Sequence, residues 1–323
     1  MTSFLSITRF AARFGAASGL ALAGAATAQA CSICGCALNL DWVTQGFSTE
    51  PGFAIAFRYD TFTQNRLYHG SSRVDRAALD FPNDQEIQQE TRNRQVGLDL
   101  DYRSGAWSIR AQLPWVDRYH TTIGEGDTVI STSQARGIGD VKVTARWIPD
   151  RDNPVGLQFG LKLPTGAFRQ NFSAGPLAGQ PLDRGLQLGT GTTDLLAGIS
   201  WYSSAPGDLG AFASAEMDWP LSARAGFMPS TSLNLGGGLR WNGLDTVKPE
   251  LQLSLRWEGH ESGAEADHDN SGGLRVYASP GLTVRLAART HAYAFVQIPV
   301  YRRVSGLQLD PGWMLSFGCR TSL

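Results

Sequence analysis

The sequence predicts an all-β protein, a membrane-spanning antiparallel β-barrel of about twelve strands. Three observations predict it. Twelve segments alternate apolar and polar residues with a period of two, the connections between them alternate long and short, and tryptophan and tyrosine gather at segment ends.

Residues 1–30 carry Arg9 and Arg13, then the small apolar run GAASGLALAGAA, then Ala28-Gln29-Ala30. A basic start, an apolar centre and an AxA end form a secretory signal, so this part stands outside the fold. Its apolar run is too short to span a bilayer, and no later run approaches the roughly 18 apolar residues of a membrane helix. Residues 31–50 are expected to form a periplasmic segment, and residues 51–323 the barrel.

The first strand is FAIAFRYD at 53–60, with Phe53, Ile55, Phe57 and Tyr59 on one face and Arg58 and Asp60 on the other. The second, VGLDLDYR from Val96, opposes Leu98 and Leu100 to Asp99 and Asp101, and the third, WSIRAQLPW from Trp107, opposes Ile109 and Leu113 to Arg110 and Gln112. The same pattern returns at 140–147, 156–163, 194–202, 209–219, 232–241, 250–258, 274–286, 291–301 and 313–323. Segments 61–90, 120–136, 165–191, 220–230, 260–273 and 303–311 are expected to be long loops. RSGA, PDRDNP, SSAPGD, NGLDT and ARTH are expected to be short turns. A soluble sandwich has no reason to keep this rhythm. An outer-membrane barrel does, with both termini and the short turns periplasmic.

With strands running alternately up and down, Tyr102, Trp107, Trp147, Trp201 and Trp241 fall at one rim, and Tyr59, Trp115, Trp219, Trp257, Tyr301 and Trp313 at the other, as interfacial girdles require. The polar faces hold Arg58, Asp99, Asp101, Arg110, Lys142, Arg146, Lys162, Glu216, Arg240, Glu250 and Arg256, followed by Arg275 and Arg285. An Arg or Lys facing lipid at the midplane costs about 2–4 kcal/mol, so these charges are expected to line the lumen. Their mixed sign argues for a general polar channel or for ion pairs that narrow it, not for ion selectivity. Twelve strands fall between filled eight-stranded barrels and open sixteen-stranded porins, so a narrow pore is expected, plugged by loops 61–90 and 165–191.

A run in the middle of the chain, ARGIGDVKVTARWIPDRDNPVGLQFGLKLPTG followed by LQLGTGTTDLLAGISWY, resembles the family described as putative MetA-pathway of phenol degradation. The likeness covers 135–202. It implies an outer-membrane, transporter-like barrel through which small, aromatic compounds pass. The end SFGCRTSL, with Gly318 and Leu323, looks like the C-terminal assembly signal of such barrels without the usual terminal aromatic.

Three of the four cysteines, Cys31, Cys34 and Cys36, lie within CSICGC at the start of the mature chain. Three soft ligands at this spacing suit copper or zinc, and a CxxC pair also suits redox exchange. An acylated or oxidised terminal segment is the third reading, and all three stay open. The metal and redox readings make an alternative function, an outer-membrane protein that serves a periplasmic metal or redox partner. Cys319 shares parity with Trp313 and Phe317 and is expected to face lipid. His260 and His268 share an acidic loop, which is read as solvated more readily than as a cation site. His69-Gly70-Ser71 sits in a polar segment without the other features of a membrane lipase, and no catalytic constellation stands out. The expected partners are outer-membrane lipid and a small solute. With 28 basic and 29 acidic residues the chain lacks the basic excess of a nucleic-acid binder.

Overall fold

A computed structural model describes residues 51–149, 155–204 and 208–323. The signal segment and Cys31, Cys34 and Cys36 lie outside the described residues.

The strands are β1 (Gly52–Gly70), β2 (Ser72–Val74), β3 (Ile87–Ser104), β4 (Trp107–Ile123), β5 (Ile130–Ile138), β6 (Val141–Trp147), β7 (Val155–Leu163), β8 (Asp194–Ser204), β9 (Leu209–Pro220), β10 (Ser232–Trp241), β11 (Val247–Glu258), β12 (Gly273–Ala287) and β13 (Thr290–Ser322). Every pairing is antiparallel. The order β1-β3-β4-β6-β7-β8-β9-β10-β11-β12-β13 closes on itself through β13 and β1, with β2 on β1 and β5 on β4 outside the ring. Among the described residues eleven strands therefore close the barrel, and the last of them is bent into two arms. Its arm 290–304 pairs with β12 and its arm 307–322 with β1. The arms meet each other at Thr290–Thr321 (3.0 Å) and Arg302–Asp310 (3.0 Å). The wall is thus crossed twelve times.

The bend replaces the long loop expected at 303–311. Gly306 takes φ 60°, and a Cβ there would collide with Asn270 and the Asp269 carbonyl, so glycine alone fits this tight turn. The strands also run further than the apolar alternation suggests. β1 continues from Asp60 to Gly70 and β3 starts at Ile87 instead of Val96. β4 reaches Ile123, and β5 occupies part of the expected loop 120–136. Their ladders continue without a break in type, for example Thr61↔Arg94 and Arg92↔Tyr119. The outward residues change instead, from Leu98 and Trp115 to Arg92, Arg94 and Arg136, as expected for wall standing in water beyond the apolar belt.

The belt itself inverts a soluble core. Outward side chains such as Ile55, Leu100, Phe159 and Leu253 are exposed, whereas inward Arg275, Gln252, Ser279 and Gln297 are buried. The rim pairs Phe53–Tyr102 (4.7 Å) and Trp107–Trp147 (6.3 Å) flank the short-turn end, and Tyr59–Phe317 (5.1 Å) lies nearer the long-loop end. Cys319 is exposed on the outward face. Leu253 lies mid-strand on β11 and is 57% exposed. Leu253→Arg should therefore cost about 2–4 kcal/mol of folding free energy in phospholipid. Equilibrium refolding into vesicles measures this, and an unchanged midpoint would place the residue away from lipid.

The interior is unevenly filled. Around β12 and β13, Tyr277 packs on Met314 with Phe62, and Gly281 leaves room for the Phe295 ring. The free space is lined by β1, β3, β4 and the strands from β6 to β11.

Candidate functional site: the lumen and its capping loop

Loop 164–193 caps the long-loop end, and three short motifs hold it. GIGD (137–140) links β5 to β6, LPTG (163–166) ends β7, and GTGTTD (189–194) leads into β8. The Asp140 carboxylate accepts hydrogen bonds from Gly166 N (3.0 Å), Thr190 N (2.9 Å) and Thr190 Oγ1 (3.0 Å). Thr165 Oγ1 accepts from Val141 N (2.9 Å) and donates to the Gly139 carbonyl (2.8 Å). A Cβ on Gly166 would come within 2.7 Å of Gly189 Cα, so the two glycines let the ends of the loop touch. Lys162 forms an ion pair with Asp194, donates to Thr190 Oγ1 (3.0 Å) and lies 3.9 Å from Asp140. These three motifs are thus, physically, a latch that closes the loop on itself and on the wall.

The middle of the loop is held by Arg118 of β4, which donates to the Gly185 carbonyl (2.9 Å) and the Gln187 carbonyl (3.1 Å). Arg184 lies between the Phe168 ring (4.8 Å) and the Phe227 ring (4.7 Å) and donates to the Thr190 carbonyl (2.7 Å). Phe172, Leu182 and Leu186 form a small apolar core within the loop, and Leu188 packs on Val116 and Ala135 of the wall.

The lumen holds a cavity of about 430 Å³. Among the charges expected in the lumen, Arg58, Asp99, Arg110, Lys142, Arg146, Glu216 and Arg256 line it. Asp60, which shares the polar face of its strand with Arg58, lines it too, as do Asp140 and Asp218. Most of these groups are paired. Arg58 meets Asp60 at 2.8 Å, Arg110 meets Asp101 at 2.7 Å, and Arg256 meets Glu258 at 2.7 Å and Asn234 at 3.0 Å. Asp99 lies 3.4 Å from Gln112. Arg146 donates to Gln158 (2.6 Å), which donates to Glu216 (2.9 Å). Lys142 on β6 reaches Asp218 on β9 at 3.6 Å. Because β7 and β8 separate these two strands in the wall, this contact is a chord across the lumen and not a ladder neighbour.

The remaining expected charges lie off the cavity. Lys162 belongs to the latch. Arg240 donates to Asn242 (3.0 Å) near the short-turn end, and Glu250 accepts from Thr283 (2.9 Å). Arg275 is buried among Asp310 (2.8 Å), Glu258 (3.1 Å) and Gln308 (2.9 Å), whereas Arg285 is exposed. His69 and Ser71 are exposed at the β1–β2 turn. His260 and His268 stack at 4.8 Å, and among the described residues no group of three His, Cys, Asp or Glu side chains is arranged to hold a metal ion.

No family model matches the chain, and no curated protein matches it. Solved structures do. The COG4313 outer membrane channel from Pseudomonas putida F1 is 12% identical with a TM-score of 0.64, over 85% of this chain and 97% of that one. The beta domain of the Bordetella autotransporter BrkA is 16% identical with a TM-score of 0.48, over 85% of this chain and all of that one. The CymD monoaromatic hydrocarbon channel is 8% identical with a TM-score of 0.42, over 87% of this chain and 90% of that one. The first shows the fold, and the other two are too loose to carry an argument. The chain has the fold of an outer-membrane β-barrel.

Proposed function

We propose that this chain is an outer-membrane channel of a Gram-negative bacterium that passes small aromatic solutes down their gradient. The observation that carries the reading is the partly open lumen, about 430 Å³ of space between a charged wall and a tethered loop. A barrel serving only as an anchor would gain by filling that volume, as the β12–β13 side does. The volume suits a one-ring molecule, and the wall offers both kinds of contact such a molecule needs. Phe62, Val116 and Leu188 supply apolar surface beside Arg58, Arg110 and Arg256. The motif run 135–202 resembles the phenol-degradation barrels though no family model matches the chain, and the fold neighbour from Pseudomonas putida is itself described as a channel.

In this reading the long loops face the outside of the cell and the short turns the periplasm. The described barrel begins and ends at the short-turn side, where Leu323 N donates to the Phe53 carbonyl at 2.8 Å. The lumen pairs would loosen one at a time as a solute's own polar groups replace them, so no energy source is needed. Flux of benzoate-sized solutes into proteoliposomes tests the proposal. Entry faster than that of a disaccharide, and faster than into empty liposomes, is the expected result.

A further inference from the structure

Three loops at the long-loop end bring carboxyl groups together where few cations answer them. Glu86 closes loop 71–86, Asp183 lies at the inner turn of loop 164–193, and Glu261 and Asp267 belong to loop 259–272. All four are more than nine-tenths buried. Among the described residues Asp183 Oδ2, Asp267 Oδ2 and Glu86 Oε1 have no hydrogen-bond partner. Asp267 Oδ1 accepts from Asn270 N (3.1 Å) and Nδ2 (3.2 Å). The nearest cationic candidate for Glu86 is His120 of β4, with Nε2 4.0 Å from Glu86 Oε1 and Nδ1 bound to Thr91 at 2.8 Å. Arg184, with Arg169 beside it, feels Glu261 and Glu265 but is already held between two rings. Asp269 adds a further negative charge near Asp267.

Several ionised carboxylates cannot share such a volume unless a cation or protons neutralise them. A metal ion is the poorer answer, because no three of these groups stand in a coordinating arrangement among the described residues. We propose that loops 71–86, 164–193 and 259–272 form a proton-operated clasp, in which Asp183 and Asp267 are protonated beside Glu86 and Glu261 when the loops are together and ionise when they part. Burial, then the charges of Glu86, Asp267 and Glu261, push Asp183 well above the usual carboxylate range. Burial pushes Asp267 up to about 7 against the opposing pull of its Asn270 hydrogen bonds. In water both would return to about 4. The closed clasp therefore binds more protons than the open one. Its advantage is complete in acid and is lost as pH rises from about 4 to about 7. An interval of about three units corresponds to a closed-to-open ratio that falls on the order of a thousandfold for Asp267 alone.

The consequence for passage rests on the channel reading, but the clasp itself can be tested without it. Hydrogen exchange of the full barrel, corrected for intrinsic rates, should show amides in 172–187 and 261–271 protected at pH 5 and at least tenfold less protected at pH 8. Asp183→Asn with Asp267→Asn, which imitates the protonated pair, should keep them protected at pH 8. Asp245→Asn, at an exposed side chain of the short-turn end, should behave as wild type. Should the double variant fail to fold, Asp267→Asn alone should retain part of the protection. Equal protection at both pH values in the wild type would overturn the proposal. So would protection at pH 8 that appears only when calcium is added. Loss of protection with pH but no solute flux at any pH would leave the clasp standing and defeat the channel reading.

Discussion

Asp140→Ala should turn a narrow, capped barrel into a freely conducting one. The substitution removes the acceptor of three hydrogen bonds, from Gly166 N, Thr190 N and Thr190 Oγ1, and one of the carboxylates near Lys162. Each donor left buried without a partner costs about 1–3 kcal/mol, so the latched arrangement loses its advantage over a released loop. Arg118 and the Phe172–Leu182–Leu186 cluster remain, and they hold only the middle of the loop. Single-channel recording in planar bilayers should show conductance several-fold above wild type. Asp140→Asn should fall between, because the amide keeps one acceptor oxygen but sets its NH2 against the donors of either Thr190 or Gly166. Wild-type conductance for Asp140→Ala, with the barrel folded, would show that the latch does not hold the cap.

The largest expected effect on stability belongs to Arg275. It is 1% exposed and lies between Asp310, Glu258 and Gln308, with Arg302 on the far oxygen of Asp310 at 3.0 Å. Arg275→Met fills much of the same volume but leaves Glu258 and Asp310 short of positive charge in a buried site. Breaking a buried pair from one side costs about 3–5 kcal/mol, far more than the pair contributes relative to apolar residues. Urea unfolding from phospholipid vesicles measures it. Glu258 keeps Arg256 at 2.7 Å and Asp310 keeps Arg302 at 3.0 Å, so adding Glu258→Gln and Asp310→Asn should deepen the loss, because it takes the partners of those two arginines as well. A change below about 1 kcal/mol in the single variant would mean that water reaches the cluster.

Much of this architecture was legible in the sequence because a period of two leaves little freedom. Once Phe53, Ile55 and Phe57 face lipid, Arg58 must face inward, and the same parity places Arg110, Arg146 and Arg256. Asp218 and Glu258 obey the same parity. They were passed over because each sits at the end of its apolar segment, where alternation fades. The upper parts of β1, β3 and β4 were not legible for a related reason. Outside the belt both faces of a strand meet polar surroundings, so Thr61, Thr91 and Arg92 carry no lipid-facing signal although the ladder continues.

The site was legible only in pieces. GIGD, LPTG and GTG stood out as motifs, but Asp140 finds its partners in Gly166 and Thr190 only after the loop runs out and back. The Lys142–Asp218 chord exists only because the sheet curves, so that side chains of β6 and β9 meet across β7 and β8. Asp183 and Asp267 looked like ordinary loop residues, since nothing in a local stretch tells that three loops will bury them together. The turn at Ser305-Gly306 was misread for the opposite reason. A single glycine in the left-handed region does there what an expected nine-residue loop was assigned to do.

The central claim is that the lumen is a route for small solutes, and entry of a benzoate-sized molecule into proteoliposomes tests it most directly. Wild-type protein should give uptake well above empty liposomes, saturating weakly if at all, with a disaccharide largely excluded, and Asp140→Ala should raise both rates. Uptake equal to that of empty liposomes, from folded wild type and folded Asp140→Ala alike, would contradict it.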